Sequence, residues 1–283
     1  KWMDGKDDAY TYDHRATIRK YIGSDYCEGR GGIAYETPEL RNVTPTGRVL
    51  DLPDARSIYD IYRDTLAAKK AARPNLTPDA VRALTGIRRL ADLSAEALPA
   101  EGGAVLSRND DATLIPVVVS RPAHASGAKP VLVVSDVSSR TGLVETVRAH
   151  LTEGRAVAVA DIRGFGETSG SRHSFYGSKD GDEEIAMCYM VLGDSLVARR
   201  AEDVMLVARY VAATLGAKPV LRAEGRAAVP AAHAKYLEPA LFAGFETVRA
   251  PTSWERLIAD ETVAYPFSCA VRGALALYDW TDL

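Results

Sequence analysis

A short apolar run, a tight turn and an alanine-rich helix stand back to back at residues 218–239 (KPVLRAEGRAAVPAAHAKYLEP). No other stretch of this chain constrains its fold as strongly. Val220 and Leu221 predict a strand, the turn centres on Ala223-Glu224-Gly225-Arg226-Ala227, and Pro239 closes the helix. A strand that turns directly into a helix asks for a layered α/β architecture, in which the helix packs back on the sheet.

Other segments repeat that grammar. Residues 131–134 (VLVV) and 156–160 (AVAVA) are continuous apolar runs, as expected of parallel strands covered on both faces. Residues 104–107 and 113–120 flank a turn at 108–112 and predict a hairpin. Helices are predicted at 141–153, ending at Gly154, and at 195–215, with Gly216 as the C-terminal cap; a further strand is predicted at 241–248. The expected fold class is α/β: a three-layer domain over 101–283 with a mostly parallel sheet and right-handed crossovers.

The first hundred residues read differently. Residues 10–22 have helical spacing and run into a Gly- and charge-rich stretch at 24–32, so 1–32 is expected to be the terminal helix and loop of a preceding unit. Residues 33–98 show no convincing core strand, and 33–100 is expected to be a helical connector. A break at Pro45 and Gly47 comes first, then an amphipathic helix over 58–72 capped by Ser57, then a helix opened by Thr77-Pro78. This stretch is expected to be a helical linker laid on the surface of the following domain. The chain opens Lys1-Trp2, which is read as the start of a processed product or of a piece of something longer.

Composition narrows the function classes. The 283 residues are 47% hydrophobic and 26% charged with a net charge of −3, and Lys and Arg are dispersed, so neither nucleic acid nor an anionic membrane is expected as a partner. No apolar run approaches the roughly 20 residues that span a bilayer. Cys27, Cys188 and Cys269 are too few and too far apart for a disulfide framework or a Cys-rich zinc site, and they leave the compartment open. His14, His124, His150, Asp182 and the Glu183-Glu184 pair have no metal-ligand spacing. Gly29-Arg-Gly-Gly32 and Gly164-Phe-Gly166 lack the Lys-Ser/Thr of a phosphate loop. No metal or cofactor is expected.

Four motifs in order carry a resemblance. They are DIRGFGET at 161–168, Phe175-Tyr176-Gly177, the RRAEDV helix start at 199–204, and the strand–turn–helix at 218–239. Together they resemble α/β-hydrolases of the acetyl xylan esterase and cephalosporin deacetylase type, and 42–86 is similar to linkers of tandem multi-domain members. In such enzymes the turn reads G-x-S-x-G and the central Ser attacks the ester. Here Gly225 holds the nucleophile position and offers no attacking atom.

The triad order is Ser, acid, His, yet the only histidine after Gly225 is His233, inside the turn's own helix. The two further strands that carry acid and His in the family are not found before Leu283, and no His stands near Asp8, where a preceding unit would place one. The resemblance therefore implies a degenerate hydrolase domain, incomplete at its C-terminal end, with no catalytic residue and with a structural, assembly or carbohydrate-contacting role in a larger esterase. The alternative is an active deacetylase whose catalytic residues are divergent or lie elsewhere, so whether the chain is an enzyme stays open at this point.

Glu224, Arg226, Asp136, Arg163 and Tyr176 are the candidate pocket residues, with a Glu224–Arg226 ion pair inside the turn as the plainer expectation. Asp161 and Arg163 are expected to tie loops together. Ser169, Ser171, His173 and Ser174 are expected to form a solvated polar loop rather than a catalytic set. The expected partner is another hydrolase domain or chain covering an exposed edge and apolar surface near 275–280, with carbohydrate or a small acyl ester as ligand. Localisation is unknown, and only the resemblance points to an extracytoplasmic setting.

Overall fold

The computed structural model describes residues 44, 48–136, 140–170 and 181–283. The expected helix at 10–22, the loop at 24–32, Tyr176 and its neighbours, Ser171, His173, Ser174, His14 and Cys27 lie outside the described residues. Two compact units divide the chain, Lys1–Ile61 and Tyr62–Leu283. In the first, a 3-10 turn at Val49–Asp51 precedes the start of helix α1 (Ile58–Ala71), where Ser57 and Asp60 exchange hydrogen bonds: Ser57 N–H donates to Asp60 Oδ2 at 2.8 Å and Asp60 N–H to Ser57 Oγ at 3.1 Å. This reciprocal pairing satisfies two amides that the first turn leaves without helical partners.

The second unit holds a seven-stranded sheet of β1 (Ala95–Ala100), β2 (Gly103–Arg108), β3 (Leu114–Ser120), β4 (Val131–Ser135), β5 (Val157–Ala160), β6 (Val220–Glu224) and β7 (Gly244–Val248). The spatial order is β1-β2-β3-β5-β4-β6-β7. Pairings among β5, β4, β6 and β7 are parallel, and β1–β2, β2–β3 and β3–β5 are antiparallel. Five strands therefore share one direction, and β1 and β3 oppose it.

Every residue of β4 and β5 is buried because helices cover both faces. Val131, Val133, Val157 and Val159 pack with Leu143, Val147 and Leu151 of and beside α3 (Val144–Thr152). Leu132, Val134, Ala158, Ala160, Leu221 and Ala223 join the larger core formed with α5 (Leu196–Leu215) and α6 (Ala228–Leu237). Three layers result, as expected. Among the described residues, no helix is long and apolar enough to cross a membrane.

The structure adds to the sequence reading at three places. β1 overlaps the stretch expected to hold no core strand, and it is an edge strand. Its sequence AEALPA has no alternating pattern and is largely exposed, and it forms because the sheet edge tolerates Pro99 while β2 supplies the ladder. Helix α4 (Asp182–Val191) was not read at all. The apolar surface expected at 275–280 is only partly there: Tyr278 and Trp280 are 1% and 7% exposed, Leu275 and Leu277 are half-buried, and Ala276 is exposed. The chain folds back over α6 instead: Asp279 accepts N–H bonds from Trp254 and Glu255 at the start of α7 (Trp254–Ala259), and Trp280 Nε1–H donates to Thr252 O at 2.9 Å.

Helix α2 (Pro78–Thr85) opens where expected, with Thr77 as its cap, and ends at Gly86 in the left-handed conformation. It is pinned by fully buried Val81 and by Arg82, which donates to Leu237 O and Glu238 Oε1.

A network of charges fastens α5 to the sheet. Arg108 at the end of β2 donates to Asp203 Oδ1 at 2.7 Å and Glu202 Oε2 at 2.8 Å, and all three side chains are fully buried. Arg163 reaches Asp203 from the end of β5, and Arg88 reaches Glu202 and Asp110. Burial by itself would raise the Glu202 carboxyl, but bonds from Arg88 and Arg108 and the charge of Arg199 outweigh it and hold the group at about 2.

The folded value lies below the ordinary 4.5, so this stabilisation is complete above that pH and is lost as pH falls from about 4.5 to about 2. Its size is on the order of 3 kcal/mol. We predict that urea denaturation across this acid range shows a shallower loss of stability for Glu202→Gln than for wild type, with the variant already less stable at neutral pH. Parallel curves for the two proteins would refute that assignment.

Candidate functional site

Beyond the ends of β4, β5 and β6 the turns converge on one cluster. β6 ends at Glu224, Gly225 takes φ 61°, and a 3-10 turn over Gly225–Ala227 leads into α6. Ala227, Ala228, Ala231, Ala232 and Ala234 are buried, and their small side chains let the helix sit close to its neighbours. This is the strand-to-helix elbow expected at 223–227, beside the end of β4, where Ser135 pairs with Glu224.

Two constraints keep residue 225 a glycine. Its φ lies in the left-handed region, and a Cβ there would overlap the carboxylate of Asp136. That carboxylate, just past β4, accepts the Arg226 backbone N–H at 3.1 Å and Arg226 Nε–H at 3.0 Å, both on Oδ2. In acyl-transfer enzymes of this architecture, the amide after the nucleophile is the one that faces the oxyanion. Here it holds an internal carboxylate.

Arg226 is also held from behind. Its Nη1–H donates to Asp182 Oδ2 at 2.8 Å, and Asp182, the first residue of α4, is 1% exposed. Arg200 of α5 grips the same carboxylate with both terminal nitrogens, and its Nε–H donates to Arg163 O at 2.9 Å. The Phe165 ring lies 3.9 Å from the Arg200 guanidinium carbon and 5.2 Å from that of Arg226. Asp136, Asp182, Arg200 and Arg226 together balance in charge, which makes their burial tolerable. Gly164 (φ 78°) in the DIRGFGET turn lets Arg200 through, since a Cβ there would come within 2.6 Å of its Nη2.

The structure sorts the sequence candidates. Asp136, Gly225 and Arg226 come together. Glu224 does not join them: the expected ion pair inside the turn is replaced by Arg222 Nε–H at 3.0 Å and Arg249 Nη2–H at 3.3 Å. Strand alternation explains the difference, because Glu224 follows Val220 and Arg222 onto the α3 side of the sheet.

Arg163 is buried and bound to Asp203, Asp111 and the Tyr189 hydroxyl, and only its backbone carbonyl meets the cluster. Asp161 accepts Glu167 N–H within its own turn. From sequence, Asp182 is weighed only as a metal ligand, and Phe165 and Arg200 stand inside the DIRGFGET and RRAEDV motifs without a role of their own. Arg199, the first residue of RRAEDV, binds Asp194 and Glu202.

The described histidines carry no triad chemistry. His233 is fully buried, with Nδ1–H donating to Val229 O and Nε2 accepting the Tyr278 hydroxyl, each at 2.7 Å. Burial pushes its imidazole down to about 4, against the opposing effect of the Val229 carbonyl, so the ring is neutral. His124 and His150 sit near Gly154, before the start of β5 and at the edge of the sheet away from the elbow. Ser169 Oγ–H donates to Gly166 O.

Cys269 lies behind Arg226, its thiol 3.6 Å from the Arg226 carbonyl, and burial pushes that thiol up to about 12, which removes it as a nucleophile at neutral pH. No group of three or more His, Cys, Asp or Glu is placed to hold a metal ion among the described residues.

Two outcomes follow from this geometry. Gly225→Ala is expected to lose roughly 1–3 kcal/mol in equilibrium unfolding, from the left-handed φ and displacement of Asp136; an unchanged midpoint would contradict the overlap. The His233 ring, followed by NMR, is expected to stay neutral as pH falls through its ordinary value of 6.5 and to protonate only near 4 or on unfolding. The unfolded chain takes up this proton first, so stability drops as pH falls from about 6.5 to about 4.

No protein-family model matches the sequence, and no curated protein matches it. Solved structures do. A candidate acetyl xylan esterase from Bacteroides fragilis is 15% identical with a TM-score of 0.44, over 72% of this chain and 62% of that one. A probable hydrolytic enzyme from Pseudomonas aeruginosa is 13% identical with a TM-score of 0.37, over 61% and 45%. A thermophilic esterase from Thermogutta terrifontis is 17% identical with a TM-score of 0.34, over 58% and 48%. The chain spans about half the length of the last two. Strand order and layering make Tyr62–Leu283 a three-layer α/β unit with a seven-stranded, mostly parallel sheet; the solved structures named above are similar to it at low identity.

Proposed function

We propose that this chain supplies a non-catalytic hydrolase-fold domain of an esterase-type protein, with a structural, assembly or carbohydrate-contacting role beside an active unit. One observation carries the reading: at the elbow, where ester hydrolysis needs an activated oxygen, Gly225 has no side chain and the Asp136 carboxylate fills the space. A carboxylate bound to the elbow amide also occupies the donor that would stabilise a tetrahedral oxyanion. Both requirements of acyl transfer are missing together, and a single Gly225→Ser change would restore neither the His base nor the oxyanion donor.

A partner hydrolase domain belongs to this reading. The outer strand β7 is a sheet edge that such a partner would cover, and Arg222–Glu246 and Arg249–Glu224 ion pairs give it a charged face. Carbohydrate or a small acyl ester is the ligand class to screen, by thermal shift with xylo-oligosaccharides and acetyl esters.

The decisive assay is hydrolysis of 4-nitrophenyl acetate. We expect wild type and Gly225→Ser to match the buffer rate. Turnover abolished by a serine-directed sulfonyl fluoride would overturn the proposal in favour of an active deacetylase with divergent catalytic residues.

A further inference from the structure

The way Asp136 is held points to more than a lost activity. We infer that the elbow is a carboxylate-binding site whose resident occupant is Asp136, and that it accepts a small free carboxylate such as formate or acetate once that side chain is removed. The inference builds on the non-catalytic reading by naming what the elbow holds in place of an acyl group.

Three observations support it. First, the donors are paired on one residue: the Arg226 backbone N–H and Nε–H meet Oδ2 at 3.1 and 3.0 Å, a charge-assisted contact. Second, the cation is positioned independently of its occupant. Asp182 holds Arg226 Nη1 at 2.8 Å, Arg200 neutralises Asp182 in turn, and Phe165 lies against both guanidinium groups. Removing the Asp136 carboxylate therefore leaves an oriented guanidinium and an oriented amide, not a collapsed side chain. Third, the pair is reachable, with the Asp136 and Arg226 side chains 22% and 20% exposed, so a small anion can enter from water.

The same geometry explains why an ester is excluded from the wild-type elbow. A neutral carbonyl has to displace a charged, covalently tethered acceptor from both donors, at a large disadvantage in effective concentration. A free carboxylate faces the same tether in wild type and is relieved of it in Asp136→Ala.

The test is thermal unfolding of wild type, Asp136→Ala and Asp136→Ala/Arg226→Gln in sodium formate or acetate against sodium chloride at equal ionic strength. We expect Asp136→Ala to melt below wild type and to regain at least half of the lost Tm saturably in formate and acetate but not in chloride, as linked binding requires. Wild type and the double variant are expected to show no carboxylate-specific shift. A response of Asp136→Ala that is equal in chloride, or one retained by the double variant, overturns the inference.

If Asp136→Ala does not fold in buffer, its refolding in formate is compared with refolding in chloride by circular dichroism. Formate-dependent recovery supports the site; recovery in neither salt, with Asp136→Asn folded, refutes it. Ester turnover by wild type bears only on the non-catalytic proposal, so the two can fail separately.

Discussion

Helix α5 carries three buried charges within one turn, Arg200, Glu202 and Asp203, and each reaches a different part of the molecule. Asp203 binds Arg108 from the hairpin and Arg163 from the end of β5. Glu202 binds Arg88, ahead of β1. Arg200 binds Asp182 and through it the elbow arginine. A buried charge is tolerated only when paired and hydrogen-bonded, and removing one partner typically costs about 3–5 kcal/mol. Each of these contacts thus fixes a loop that would otherwise be free to drift, and together they set where the turns beyond β4, β5 and β6 can lie.

The elbow depends on that framework. With Arg200 neutralising Asp182, Asp182 can hold Arg226, and Arg226 can hold Asp136 over Gly225. The Asp136 carboxylate accepts the Arg226 amide and lies where a Cβ of residue 225 would be, so the residue beneath it has to be glycine. The glycine at the elbow and the stability of the elbow are therefore linked: the contacts that place Asp136 over Gly225 also tie three strand ends together.

Much of the architecture was legible because burial on both faces leaves a mark in sequence. The runs at 131–134 and 156–160 are continuously apolar since α3 covers one side and α5 with α6 the other. Thr77 and Gly216 mark helix ends through local chemistry, and each serves there. β1 left no mark because an exposed edge strand needs no alternation. The apolar end of the chain looked like an uncovered surface because sequence does not show that Tyr278 returns to His233 and Asp279 to α7.

The sequence by itself determined the α/β layering, the elbow and the absence of a side chain at its centre, because helix caps, burial patterns and a glycine are properties of neighbouring residues. Only the tertiary structure decided what fills the elbow. Asp136 and Arg226 are 90 residues apart, and Arg226 and Asp182 are 44 apart. Strand register brings them together, and register also sends Glu224 to the opposite face of the sheet, away from the arginine two positions along. Charge pairing between distant strand ends depends on which face each side chain leaves from, and that is fixed only when the sheet is assembled.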